Sequence, residues 1–498
     1  MAERNPEHSI HVLLLPNPSQ GHINPILQFG KRLAAHRGVR CTLAVTRFVL
    51  GQSGEPPPGG AVHIAAISDG CDRGGCGEAG GIEAYTARLE SAGSETVGEL
   101  LRSEAEQGRP VRALVYDAFL PWAQRVGRRH GAACAAFFTQ PCAVDVAYGH
   151  AWAGRVEPPL ALGGQEPLDL PGLPAGLRPG DLPTFLTDPD DRGYLDLLVN
   201  QFAGLDTADH VLVNSFYELQ PQVRTPLHCQ ASQKAAGSRQ VGSESECSLN
   251  CCSRVAKESD YMASTWRAKT VGPAFPSAYL DNRLPDDTSY GFHIFTPLTE
   301  TTKAWLDARP ARSVVYASFG SIAKPDAAQM SEMAEGLYNC GKAFLWVVRA
   351  SESSKLPENF TDKTKERGLV VTWSPQLEVL AHPAVGCFVT HCGWNSTMEG
   401  LGAGVPMAAM PQWSDQTMNA KYIEDVWRVG VRVRPDEKGV VRKEELEKRV
   451  REVMEGERSS EYIRNAADWK EKAKRAMSEG GSSDKNIVEF LGKLGLKS

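Results

Sequence analysis

No stretch of this sequence reaches the roughly 18 consecutive apolar residues that a membrane helix needs. The first ten residues, "MAERNPEHSI", set Glu3, Arg4, Glu7 and His8 ahead of a short apolar run that stops at Pro16. A signal peptide has a basic flank and a longer apolar centre, so the chain reads as cytosolic and without a membrane span. Basic blocks are missing too: 54 Lys and Arg against 60 Asp and Glu leave a net charge of -6, which argues against nucleic acid as a partner. Twelve cysteines in 498 residues are too dilute for a disulfide framework and read as reduced thiols. There is no repeat at solenoid periods. Two catalytic signatures are also lacking. The turn after the first apolar run is "PNPSQGHINP", with one glycine where a dinucleotide fold carries G-x-G-x-x-G, so a nicotinamide oxidoreductase loses its main support. No G-x-S-x-G nucleophile elbow stands near it, which weakens covalent acyl chemistry.

What is present is a length that suits two domains of about 200 to 250 residues. The first half alternates short apolar runs with helical patterns: "SIHVLLLP" then "NPILQFGKRLAAH", "VRCTLAVT", "AVHIAAIS", "VRALVYD" then "FLPWAQRVGRRHG", and "ACAAFFTQ". Continuous Val, Ile, Leu and Ala runs joined by helical crossovers predict a parallel sheet with helices on both faces. Residues 154–190, rich in Pro and Gly, break the rhythm and predict a long loop over the surface or cleft. The alternation resumes with "HVLVNSFYEL", "SVVYASFGS", "AFLWVVRA", "GLVVTW", "VGCFVTHC" and "VPMAAMP", and amphipathic charged helices follow Arg442. The fold class is therefore α/β, with two doubly wound sheets and a cleft between them.

In such sheets, groups at the C-terminal ends of strands face a crevice. His22 lies just past the first strand; alone, a histidine in a polar loop is more often solvated or a cap. Asp117 ends "ALVYD" on the same edge, where it could orient the imidazole or cap the next helix. Together they point to a histidine general base held by an aspartate. In the second half, "VTHCGWNSTMEGLGAG" runs from strand to helix with Gly393 at the turn. The amides of residues 394–396 then lie at a helix N-terminus, which attracts phosphate. His391, Asn395 and Ser396 add side-chain donors there, and Ser321 of "SFGS" a further hydroxyl. Trp373 would offer a stacking platform for a planar base. Gln376 and Glu399 suit ribose hydroxyls, and Asp415 with Gln416 those of a sugar. Each residue alone fits a core, cap or surface role; so many in one βαβ unit do not.

Residues 223–259 fit neither pattern. They are polar, rich in Ser, Gln and Cys, and read as a disordered insertion. His228, Cys229, Cys251 and Cys252 do not form the two paired arms that zinc needs.

The 44 residues from Trp373 through "HCGWNS" to the final "DQ" closely resemble the signature box of the plant UDP-dependent glycosyltransferases of secondary metabolism, glycosyltransferase family 1. Outside the box, "PSQGHINP", "VYDAFLPWA" and "LVNSFYEL" carry the likeness along nearly the whole chain. The resemblance implies the GT-B fold, two Rossmann-like domains facing across a cleft. It divides the chain into an acceptor-binding domain (1–222), the insertion (223–259), a linker (260–300), a UDP-sugar-binding domain (301–480) and a last helix returning to the first domain (481–498). His22 and Asp117 would be the catalytic pair. Trp373, Gln376 and Glu399 would hold uridine, and Ser321, His391, Asn395 and Ser396 the diphosphate, with Ser374 also in the UDP-sugar site. Trp394, Asp415 and Gln416 would hold the hexose; a terminal Gln favours UDP-glucose over UDP-galactose. Thr139 and Gln140 could reach sugar or acceptor. No cofactor or metal is implied, UDP-glucose being a co-substrate. The reaction would be inverting transfer to a hydroxyl or carboxyl of a small hydrophobic acceptor by a monomer. The alternative is a catalytically silent UDP-sugar-binding protein impaired by the insertion.

Overall fold

The computed structural model describes residues 10–53, 60–162, 166–188, 190, 192–220, 222–226, 253–292 and 294–496. Two all-parallel sheets dominate it. The first has seven strands: β1 (Ile10–Leu15), β2 (Val39–Thr46), β3 (Val62–Ile67), β4 (Ala113–Asp117), β5 (Ala133–Phe138), β6 (His210–Val213) and β9 (Ala268–Thr270), in the order β3-β2-β1-β4-β5-β6-β9. Every residue of β1 and β4 is buried. Both faces are covered by helices, which is why these strands read as continuous apolar runs. The helix Gln20–Ala34 comes so close to β1 at Gly30 that a Cβ there would lie 2.2 Å from Leu14 Cδ1.

The second sheet joins β10 (Val314–Ser318), β11 (Ala343–Val347), β12 (Gly368–Val371), β13 (Val385–Thr390), β14 (Met407–Ala409) and β15 (Gly430–Arg432), in the order β12-β11-β10-β13-β14-β15. The chain is thus the GT-B pairing of two Rossmann-like layers. In each sheet the winding reverses once, between β1 and β4 and between β10 and β13, and a reversal opens a crevice at the strands' C-terminal ends. Both crevices look into one cleft.

Two boundaries differ from the sequence reading. β9 completes the first sheet from inside residues 260–300, the stretch expected to be linker. At three residues, "AKT" with an exposed middle, it is too short to show a strand pattern. The expected insertion 223–259 is structured at both ends: β7 (Gln222–Pro226) and β8 (Ser253–Lys257) pair antiparallel from Gln222 opposite Lys257 to Pro226 opposite Ser253. Such a ribbon is held by backbone hydrogen bonds and needs little apolar alternation. Glu258, next in the chain, is buried and accepts a hydrogen bond from the Tyr422 hydroxyl of the second domain. Residues 227–252, with the cysteines that raised the zinc question, lie outside the described residues. The Pro/Gly-rich loop expected at 154–190 is docked at its far end, where Thr184 N–H donates to Ser414 O at 3.0 Å.

The last helix, Ser482–Lys493, lies on the β9 edge of the first sheet. Asn486 Nδ2 donates to Thr270 O at 2.8 Å and Ser483 Oγ to Gly272 O at 2.5 Å, while Phe490 packs against Phe29 and His210. Among the described residues, no helix is long and apolar enough to cross a membrane.

Candidate active site

The cleft encloses about 800 Å³ and is lined by strand ends of both sheets, including His22, Thr139, Trp373, His391 and Asp415. On the first domain's side, Asp117 ends β4 with its carboxylate fully buried. Its Oδ2 lies 2.6 Å from His22 Nδ1, across the point where the winding reverses. Phe119 N–H donates to Oδ1 at 3.0 Å and Asn17 N–H to Oδ2 at 3.4 Å, so the carboxylate is fixed from both flanking loops. The Phe119 ring lies 4.8 Å from the imidazole. Thr139 Oγ1 is 3.1 Å from the same Nδ1, so this threonine belongs to the dyad's surroundings as well as to the cleft. With Nδ1 engaged, Nε2 is the nitrogen left to accept a proton. Gln140 lines the cleft beside it, and its Oε1 has no partner among the described residues.

On the second domain's side, His391 follows β13 beneath two glycines. A Cβ at Gly320 or Gly393 would lie 2.7 or 2.5 Å from its Nε2, and Gly320 also has φ +69, a left-handed conformation that favours glycine. Burial pushes His391 down to about 4, so it is a neutral imidazole. The loop carrying Ser321 is held by Arg349, which donates to the carbonyls of Ser321 and Ala323. The helix Trp394–Ala403 begins at Gly393, and its first internal bond is Thr397 N–H to Gly393 O. The preceding amides, at residues 394–396, are the free N-terminal donors of that helix.

Beside them runs a polar network. Gln376 Nε2 donates to Ser396 Oγ at 2.8 Å and to Glu399 Oε2 at 2.6 Å. The Tyr316 hydroxyl meets Ser374 Oγ at 2.9 Å and Gln376 Oε1 at 3.1 Å. Burial raises Glu399 to about 7, against the lowering effect of hydrogen bonds from Tyr290 and Gln376. Asp415 is raised to about 6, again by burial, and accepts from Asn419 Nδ2 at 2.7 Å. The Gln416 carbonyl accepts from the N–H groups of Gln412 and Trp413, leaving its amide N–H groups for a ligand.

Two side chains that line the cleft, Trp394 and Asn395, also reach across to the first domain. Trp394 is 5% exposed and its Nε1 donates to Asn214 O of the first domain at 2.7 Å, so its indole N–H is not a hexose donor. Asn395 Nδ2 donates across the cleft to Gly21 O at 2.8 Å. A helix pointing its N-terminus at the opposite domain brings its first side chains onto that domain's backbone, and both residues serve as bridges.

Other residues of the site escaped the sequence reading. Phe185, Tyr194 and Trp413 form an aromatic cluster on the cleft wall, Phe185 stacked on Tyr194 at 5.3 Å and Trp413 edge-on to both at 5.4 and 5.5 Å. Trp413 stands two residues before Asp415, a position that could have drawn attention; Phe185 and Tyr194 sit in a Pro/Gly-rich loop and a short helix with no distinguishing pattern. Tyr290 and Phe295 come from the segment expected to be linker.

Residues 262–468 match the family model for "UDP-glucoronosyl and UDP-glucosyl transferase". The barley (Hordeum vulgare) UDP-glucosyltransferase UGT13248 is 49% identical over 97% of this chain and 94% of its own. Crocetin glucosyltransferase 2 of Crocus sativus is 47% identical over 97% and 96%. The crystal structure of rice (Oryza sativa) Os79 in complex with UDP superposes with a TM-score of 0.84 at 46% identity, covering 97% of this chain and all of that one.

Proposed function

The chain belongs to the UDP-glucosyl transferase family and is a UDP-glycosyltransferase, and we propose that it transfers glucose from UDP-glucose, with inversion and without a metal, to a small hydrophobic acceptor. The observation that carries the mechanism is the 2.6 Å contact of Asp117 with His22 Nδ1. An acceptor hydroxyl in the cleft would give its proton to His22 Nε2 while its oxygen attacks the anomeric carbon. The C1–O bond to the diphosphate breaks with its electron pair going to UDP, and buried Asp117 stabilises the imidazolium. Attack opposite the leaving group turns the α-linked sugar into a β-glucoside.

Charge grows on the departing diphosphate, which is where the amides at residues 394–396, Ser321, Ser396 and His391 would receive it. The helix N-terminus is our reason for proposing no metal: it sets partial positive charge at the leaving group. Uracil would stack on Trp373, the ribose would meet Gln376 and Glu399, and the glucose Asp415 and the Gln416 amide. Gln416 supports glucose over galactose. The Phe185, Tyr194 and Trp413 wall supports an apolar, ring-bearing acceptor of phenolic, flavonoid or terpenoid type, presenting a hydroxyl or a carboxyl. Crocetin in the name of the Crocus relative fits that class.

The test is calorimetric titration of UDP-glucose into the whole chain in EDTA, followed by NMR of the anomeric proton in the product of an acceptor screen. Saturable binding and a β-glucoside support the proposal. No binding by folded protein, binding that requires a divalent cation, or an α-linked product overturns it.

A further inference from the structure

Between the two domains a strap, residues 287–292 and 294–298, contributes Thr288, Ser289, Tyr290, Phe295 and Pro297 to the lining of the cleft. Its first anchor is the helix Gln20–Ala34, which carries His22 at its start. Lys31 Nζ donates to Asp287 Oδ1 at 2.7 Å and to Ser289 O at 2.8 Å. Gln20 Nε2 donates to Phe292 O at 3.2 Å while its Oε1 accepts from Ile294 N–H at 3.1 Å. Gly291, at φ +74 and with Lys31 Nζ 3.7 Å from where its Cβ would stand, makes the turn that brings Tyr290 inward.

The second anchor is the donor site itself. The Tyr290 hydroxyl donates to Glu399 Oε1 at 2.6 Å, while Gln376 holds the other oxygen, Oε2. The Phe295 ring stacks on the Trp373 indole, centroids 4.4 Å apart and planes 27° from parallel. Leu298 N–H donates to Trp373 O at 3.1 Å. Tyr290, Phe295, Trp373, Gln376 and Glu399 all line the same cleft. A carboxylate gripped by one donor on each oxygen keeps a single orientation, with its remaining lone pairs directed outward. An indole packed on one face keeps its plane and offers only the other.

We propose that Tyr290 and Phe295 are donor-positioning residues: Tyr290 aims the Glu399 carboxylate at the ribose hydroxyls, and Phe295 backs the Trp373 indole so that its opposite face receives the base. The inference rests on the uridine site proposed above. Because the strap is tied to the helix of His22, it also connects nucleotide recognition in one domain to the general base in the other.

The experiment is calorimetry of UDP binding to the full chain, which requires no acceptor, for the wild type and for Tyr290→Phe, Glu399→Gln, the double variant and Phe295→Ala. Tyr290→Phe removes one oxygen, and a hydrogen bond to a charged group accounts for about a tenfold change in affinity; that weakening is expected here. In the Glu399→Gln background the same change should cost almost nothing, because a positioning residue acts only through its partner. The pH dependence supplies a second readout. Loss of the Tyr290 bond removes one of the two influences holding the carboxyl of Glu399 down, so the pH below which UDP binding weakens should move upward in Tyr290→Phe.

Phe295→Ala should weaken UDP binding several-fold; tighter binding would mean that the ring covers the base's own face and would overturn its role. Unchanged affinity in Tyr290→Phe, or additive losses in the double variant, would overturn the role of Tyr290. A wild type that binds no UDP would instead sink the uridine site itself, which separates the failure of that reading from the failure of this one.

Discussion

The two walls of the cleft are built in opposite ways. The wall proposed for the donor takes most of its polar groups from residues 373–416, one run of strand ends and helix starts, with Tyr290, Phe295 and Ser321 added from outside it, and its hydroxyls, amides and carboxylates join in a hydrogen-bonded network. The wall proposed for the acceptor is gathered from distant pieces, with Phe48, Tyr85, Phe119, Phe185, Tyr194 and Trp413 lining the cleft, and it is aromatic. A nucleotide sugar is dense in hydroxyls and charge, so its recognition demands particular donors at particular spacings, and these concentrate where a single βαβ unit can hold them rigidly. An apolar acceptor asks only for shape, and many loops can supply shape.

Separating the two walls by mutation sharpens this contrast. The largest effect is expected from His22→Ala: turnover should fall by about 10²- to 10⁴-fold while calorimetric UDP affinity stays at the wild-type value. A parallel loss of UDP binding would mean that the walls are not separable. Next comes Trp373→Ala, which should weaken UDP binding by about 10- to 100-fold through lost stacking and leave the acceptor KM nearly unchanged at saturating donor. Phe185→Ala should do the reverse, raising the acceptor KM by about 5- to 10-fold through lost aromatic packing with UDP affinity intact; steady-state kinetics on any accepted substrate will show it.

Smaller effects follow from charge. Glu399 and Asp415, raised by burial to about 7 and about 6, accept more strongly from sugar hydroxyls when ionised. UDP-glucose affinity should therefore decline as pH falls through 7 towards 5.5, by at most about tenfold per pH unit for each group. The smallest change concerns stability and lies outside both walls. Glu258 is raised from 4.5 to about 8 by burial, against the lowering bond from Tyr422. Since its folded value exceeds its unfolded one, its contribution to stability is complete below about 4.5 and is lost as pH rises through 8. The melting temperature should fall by a few degrees over that range, and Glu258→Gln should flatten the slope.

The same contrast explains what could be read in the sequence. Both sheets were legible because strands buried on two faces leave unbroken apolar runs, as in "IHVLLL" and "VGCFVT". His22 and Asp117 were legible because each follows or ends such a run at a winding reversal, so adjacency in space could be argued from topology. Trp373, Gln376, His391 and Glu399 were legible because chemistry unusual for a βαβ core sat at strand ends. β9 and the β7–β8 ribbon were not, because short strands held by backbone bonds leave almost no side-chain signature. The bridging roles of Trp394 and Asn395 depend on the opposite domain's surface, and nothing in their own segment encodes it. Tyr290 and Phe295 were hidden for the same reason: an aromatic in a polar connector looks alike whether it faces solvent or a carboxylate 109 positions away in the chain.

The β7–β8 ribbon carries a consequence for protein engineering. Pro226 and Ser253 are opposite one another, so the two described strands of the ribbon end at one doorway. A two-residue Asn-Gly turn spans such a gap in a hairpin. Replacing residues 227–252 with that turn should keep UDP binding and the melting transition, and the same doorway would accept a fluorescent reporter or an affinity handle as a graft.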